Sequence, residues 1–411
     1  MTGKRASFLL LTAFLLVSPA GSQEWPQWRG PNRDGVPTHP PSVRDWPERL
    51  TRVWEVPVGT GHSSPVVGDQ RIVVHTRQGE DEAVSCYALE TGKILWSRRY
   101  SAAYEMNGAA IRHGKGPKST PLLSRGKIYS LGITGILSCF DFQTGTLSWR
   151  RDFSGHFPST SPLYGTAMSP IMDGSLLIAH VGGNDDGSLL GLDAATGETR
   201  WSWKGDGPGY ASPVIAEIAG VRHVITQSQK HVIGVSATTG ELLWGLPFST
   251  PYIQNIITPI LYNDSVIFSG LDQGVTAVRV AKTSRGWSAE KVWENREASF
   301  YMSTPVIHGD HLYGMSHRNR GQFVCLDART GASIWAGEAR QGENAAVVVA
   351  ADRLFFLTND ASLIVARATP RGFEIIRRYT VAGSPTWAHP VLLRNGLLIK
   401  DESNLSFWRW E

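Results

Sequence analysis

A chain of 411 residues with 41% hydrophobic and 18% charged side chains has the composition of an ordinary folded protein, which excludes a disordered or fibrous one. Its formal charge of +4 is too small to argue for nucleic acid, and two of the cations, Lys4 and Arg5, lie in a segment expected to be removed. The 43 glycines and 15 tryptophans point instead to many turns and to a repeated packing position.

In chain order, the first feature is Lys4-Arg5 ahead of the apolar run from Phe8 to Val17, followed by the small residues Ser18, Ala20 and Ser22. Residues 1–22 therefore read as a secretory signal peptide. The run is too short for a permanent membrane helix, and no later stretch approaches twenty apolar residues. None of the three cysteines lies near the cleavage region, so a lipid anchor has no acceptor. These features predict a monomer, periplasmic or secreted after cleavage, with no transmembrane segment. Residues 23–49, including "EWPQWRGPNRDG", are expected to strap across the surface, with Trp25 and Trp28 pinning the arm.

From residue 50 to 411 the chain repeats. Thr-Gly followed by three residues and then Trp recurs at Thr91, Thr144, Thr196, Thr239 and Thr330, ending at Trp96, Trp149, Trp201, Trp244 and Trp335. Upstream stand alternating runs such as "LLGLDAAT", and before those a Ser-Pro or Thr-Pro pair: Pro65, Pro121, Pro170, Pro213, Pro259 and Pro305. Asp-x-x-Thr-Gly is hairpin chemistry, because the carboxylate bonds nearby backbone and glycine takes the positive φ that ends the turn. Each unit reads as four short strands, and one such unit every roughly 40 to 50 residues predicts an all-β propeller of four-stranded antiparallel blades. The outer-strand position is filled by Trp96, Trp149, Trp201, Trp244, Trp293 and Trp335, then by a degenerate copy near Arg377. The last repeat runs out before its outer strand, and Trp54 precedes the first. The N-terminal strand around Trp54 is therefore expected to close an eight-bladed ring. Seven blades is the alternative, should the faint copy around Asn344 not be a blade.

The unit "LDAATGETRW" resembles the tryptophan-docking repeat of the PQQ-type propellers, a group containing quinoprotein alcohol and glucose dehydrogenases and also cofactor-free envelope factors of the BamB type. The likeness covers roughly residues 50 to 411. The runs "EWPQWRGPNRDG" and "RHGKGPKSTP" are similar to exported bacterial members of the same group. What the resemblance implies is a fold, since one fold hosts unrelated functions. The chain lacks the adjacent Cys-Cys pair of many alcohol dehydrogenases and the lipidated N-terminal Cys of BamB. Two functions stay open. One is a binding or scaffold module of the cell envelope, facing a protein, peptide or polysaccharide. The other is a PQQ- and Ca²⁺-dependent dehydrogenase of an alcohol or sugar.

Cys86, Cys139 and Cys325 each lie six residues before a turn glycine, a slot that Gly191 and Gly234 fill in other repeats. The slot favours small residues where sheets press together, and stacked sheets lie too far apart for a disulfide, so three free thiols are expected.

Links from one outer strand to the next inner strand should share one face, at the mouth of the central channel. Two adjacent links are long, Trp96 to Pro121 and Trp149 to Pro170, and long loops on a rigid scaffold carry function. The first holds Glu105, Asn107 and the basic group Arg112, His113, Lys115 and Lys118, which suits a carboxylate or phosphate. The second holds Tyr164. Residues just before each inner strand should ring the mouth: His62 and Lys118, then Tyr210, Gln254 and Asn255, then Tyr301, Asn344, Trp387 and His389. Such a ring of aromatics and amides suits a flat polar ligand. For a quinoprotein, Glu343 with Asn344 is the first candidate for the metal and Glu343 or Glu105 for the catalytic base. "GNDDGS", residues 184–188 with Gly183, lacks the spacing of a Ca²⁺ loop and reads as a tight turn.

Overall fold

The turns are built as their chemistry requires. Asp141 Oδ1 accepts the backbone N–H groups of Gln143 and Thr144 at 3.1 and 3.0 Å, and Gly145 follows at φ +69°. Asp193 and Asp327 repeat the arrangement ahead of Gly197 and Gly331. In the computed structural model, which describes residues 25–43, 45–157 and 161–410, these hairpins join eight four-stranded antiparallel sheets into a propeller ring. Residues 1–22, expected from the sequence to be a signal peptide, lie outside the described residues.

Blades one to seven occupy residues 66–101, 122–152, 171–203, 214–247, 260–295, 306–336 and 345–380. In the eighth, Val391–Leu393, Gly396–Lys400 and Asn404–Arg409 are completed by Thr51–Pro57, whose Trp54 pairs with Phe407. The ends of the chain thus lock the ring and leave only short sheet edges. The faint seventh repeat is a full blade, so the count is eight and not seven. Its outer strand Ile375–Thr380 sets Arg377 opposite Val365, in the register where the first blade sets Trp96 opposite Cys86. Among the described residues no helix is long and apolar enough to cross a membrane.

The tryptophans wedge neighbouring blades together. The indole N–H of Trp96 donates to Phe142 O of the next blade at 3.0 Å, and Trp149 to Ala194 O and Trp201 to Ala237 O at the same distance. Trp54, Trp293 and Trp335 do likewise to Leu89 O, Ala328 O and Thr369 O, each Trp reaching the residue three before a glycine. Five of these six rings cover the following turn glycine, Gly372 after Trp335 being open: a Cβ on Gly145 would lie 2.6 Å from Trp96, and one on Gly240 2.5 Å from Trp201. Trp244 is the exception and donates to His223 Nδ1, because the fifth blade replaces the Thr-Gly turn with a longer hairpin.

The three cysteines are unpaired and buried, and the reason their slot is small differs from the one expected. The occupant is the blade's own tryptophan rather than the neighbouring sheet. Cys86 faces Trp96, and a Cβ on Gly191 would lie 2.2 Å from Trp201 Cε2. Burial pushes the Cys86 thiol up to about 11 and Cys325 to about 12, so both are poor nucleophiles.

Candidate functional site: a donor-rich bowl on the loop face

The Ser/Thr-Pro pairs that open the inner strands bring the blades to a common axis. Ser64 N donates to Thr120 Oγ1, Thr120 N to Ser169 Oγ, and Ser169 N to Ser212 Oγ, at 2.9 to 3.1 Å. Thr258 N donates to Thr304 Oγ1, and His389 N to Ser64 Oγ. Each hydroxyl therefore spends a lone pair on a neighbouring blade and keeps its own proton to donate.

The N-terminal arm departs from its expected course over the surface: it stoppers the channel. Trp25 exchanges backbone hydrogen bonds with Val67 of the first blade, and Pro26 O accepts from Leu123 N of the second. Arg33 donates to Ser169 O, Pro170 O and Pro213 O in the third and fourth blades and to Gln27 Oε1. Arg29 donates to Pro305 O in the sixth, and Gly35 O accepts from Val349 N in the seventh. Trp28 donates to Thr258 Oγ1 at 2.9 Å and sets its ring 4.5 Å from His389, reaching the fifth and eighth blades. All eight blades thus meet eleven residues, 25 to 35. Both guanidinium groups are buried without a carboxylate among these partners, and desolvation lowers Arg29 to about 10 and Arg33 to about 9.

Above this stopper a bowl of about 890 Å³, open to solvent, receives residues from every one of the eight links. Trp28 is part of its lining, so its role is not confined to pinning the arm. The structure gathers there nine residues singled out from the sequence: His62, His113, Lys118, Tyr164, Tyr210, Gln254, Tyr301, Asn344 and Trp387. His62 stacks on Trp387 with 5.4 Å between ring centres, and His113 meets Trp387, His62 and Tyr164 edge-on. The first long link carries His113 over the mouth on a 3₁₀ turn, Gly108–His113, capped by Asn107, whose Oδ1 accepts from Ala109 N. The turn is clasped at the far rim by an ion pair from Arg112 to Glu343. Its base is fixed by contact between backbones, since a Cβ on Gly116 would lie 2.4 Å from Gly61 Cα.

Other candidates fall outside the lining. Arg112 is spent on the rim pair with Glu343, and Lys115 lies 4.0 Å from Glu80. Asn255 is buried and turned inward, its amide donating to Ser228 O, Gln229 O and Phe248 O, so its work is structural. His389 lies beneath the bowl against Trp28, and Glu105 is exposed and absent from the lining. Residues missed from the sequence are Trp28 and the hydroxyls of Ser169, Ser212, Thr258 and Thr304. Their signal was visible, since each hydroxyl immediately precedes a repeat proline.

The electrostatics are one-sided. Burial pushes the half-buried Lys118 amine down to about 8, and among the described residues it donates to Gly114 O at 3.3 Å. Burial, with Lys118 nearby, holds His62 well below its ordinary range; burial, Arg112 and Lys118 lower His113 to about 4. Both imidazoles are neutral at pH 7. The lining holds no carboxylate. Ca²⁺ takes six to eight oxygen ligands, typically including carboxylates. Among the described residues no group of three or more His, Cys, Asp or Glu side chains could hold a metal ion, and the carboxylate of Glu343 is engaged by Arg112. The residues present do not fit the Ca²⁺ of a Ca²⁺-quinone pair.

Residues 80–337 match the family model described as outer membrane protein assembly factor BamB. BamB of Shewanella oneidensis is 26% identical over 266 residues, covering 62% of this chain and 65% of that protein. BamB of Yersinia pestis is 24% identical, covering 63% and 60%. The chain therefore spans less than two thirds of the length of these relatives. BamB of Moraxella catarrhalis superposes with a TM-score of 0.64 at 15% identity, covering 88% of this chain and 98% of that one. A europium-containing methanol dehydrogenase gives 0.68 at 11% identity, covering 94% and 98%, a likeness of fold alone. A ring of eight blades wedged by tryptophans, with a family match over most of its length, places this chain in the family of the outer membrane protein assembly factor BamB.

Proposed function

We propose that the chain is an exported binding and scaffold module of the cell envelope, periplasmic or secreted, which presents its loop face to an envelope protein, peptide or polysaccharide. The observation that carries this reading is the makeup of the bowl. Eight links converge on hydrogen-bond donors and aromatic faces, with no carboxylate and no thiol among them. A lining of that kind can hold and orient a partner, while a dehydrogenase of the quinoprotein type would need a carboxylate base and metal ligands. Two large side chains also stand exposed on this face, Ile111 at 66% and Tyr252 at 72%, on the links at Gly108–His113 and Pro251–Ile253.

The test is photo-cross-linking of the exported chain in its own envelope. A photoreactive analogue in place of Tyr252 is expected to give a discrete adduct. The same analogue in place of Leu261, at the opposite end of the channel, is expected to give none. Equal adducts at both positions, or an adduct at Leu261 alone, would overturn the assignment of the loop face.

A further inference from the structure

We infer that the bowl is a binding site for an acidic sugar residue, one whose ring carries a carboxylate or a sulfate ester. The inference goes beyond the scaffold reading and does not depend on it, because it rests on the bowl alone.

Three features of the lining each exclude a class of ligand. The first is charge. Lys118 enters the wall with a carbonyl as its hydrogen-bond partner, Arg29 and Arg33 lie under the floor bonded to carbonyl and amide oxygens, and no carboxylate faces the space. A net field of that sign, offset only in part by Glu82 near Lys118 and Asp34 near Arg29, favours an anion and disfavours a cation or a carboxylate-flanked metal. The second is the ring of hydroxyls. Ser169, Ser212 and Thr304 accept from the backbone and have protons to donate, and the amides of Gln254 and Asn344 stand in the same wall. Asn344 is only 8% exposed and its Oδ1 has no hydrogen-bond partner. An acyl chain or a plain aromatic ring would leave these groups unpaired, at the cost that lets polar sites reject apolar ligands. The third is the aromatic wall of Trp28, Trp387, Tyr164, Tyr210 and Tyr301, which a bare inorganic ion would not use. A ligand satisfying all three has a ring with apolar C–H faces, several hydroxyls and one oxyanion.

The experiment is a titration of the purified chain, followed by tryptophan fluorescence. The probes are trigalacturonate, a galactose trisaccharide carrying 6-sulfates, neutral galactotriose and sodium sulfate. One or both acidic trisaccharides are expected to bind saturably, which also separates carboxylate from sulfate, with the neutral trisaccharide at least about tenfold weaker, as loss of a charge-assisted hydrogen bond implies. Lys118→Met is expected to weaken the acidic probe by a similar factor, and Asn344→Asp, which adds a negative charge at nearly constant shape, to weaken it as well. Unchanged melting temperatures would show that both variants fold.

Affinity of the native chain should fall between pH 7 and 9 as the Lys118 amine loses its proton. The other groups facing it do not change over that range. His62 and His113 are already neutral, Tyr210 and Tyr301 are pushed up by burial, and Glu82 is held low by its bonds to His75, Ile133 and Tyr100. Lys400, also near 8, is buried against Gly61 O and Asp401 O, so the dependence should be flat in Lys118→Met if Lys118 is its source. Equal binding of neutral and acidic sugars, binding of neither acid, or sodium sulfate matching the acidic sugars would overturn the inference. None of these outcomes bears on the cross-linking at Tyr252.

Discussion

Arg33→Met is expected to lower the stability of the ring by roughly 3–5 kcal/mol, the range for leaving a buried charged hydrogen-bond set unpaired. Arg33 is 3% exposed and donates to carbonyls at the entrances of two adjacent inner strands as well as to Gln27. Methionine fills much of the volume but leaves those carbonyls facing an apolar side chain. The arm carrying Arg33 is where all eight blades meet, so its loss should be felt by the whole transition rather than by one blade. Denaturant unfolding checks this through the midpoint, with an unchanged slope showing that the same surface is exposed. A loss under 1 kcal/mol would mean that the arm is an accessory and that the ring closes without it.

Gly145→Ala is expected to cost roughly 2–4 kcal/mol, against about 1 kcal/mol for Gly126→Ala. The two glycines have nearly the same backbone, φ +69° and +71°, so alanine is equally strained in both. They differ in what the added methyl meets: Trp96 at 2.6 Å for Gly145, and nothing within 4 Å for Gly126. The difference between the two melting curves therefore isolates the wedge between the first and second blades from the cost of the turn. Equal losses would show that the indole yields freely and does not lock the blades.

Much of the ring was legible in the sequence because its determinants are local. Asp141, Thr144 and Gly145 build their own turn, and Trp149 follows at a distance fixed by that turn, so the repeat announces itself. Closure by Trp54 could be read by counting, since the last repeat lacks an outer strand. The bowl was legible in part for the same reason: residues just before an inner strand must ring the axis, as His62, Gln254 and Asn344 do. Asn255 shows the limit of that rule. It adjoins Gln254, yet alternation turns its amide away from the bowl onto three backbone carbonyls. The arm was beyond local reading. Nothing in "WPQWRGPNRDG" reports that Arg33 lies against residues 136 to 180 positions away, because its partners are backbone carbonyls, which carry no sequence signal.

The stoppered channel is what gives the loop-face bowl a floor, and amide hydrogen exchange over residues 25–35 tests it most directly. The N–H groups of Gly30, Arg33 and Gly35 donate to Gln27 O, Gly30 O and Arg29 O, and Trp25 N donates to Val67 O, so they are expected to exchange as slowly as the inner strands around them. Exchange of this segment within seconds, while the second strands Arg71–Gln78 and Arg353–Thr358 stay protected, would place the arm on the surface and leave the bowl an open pore.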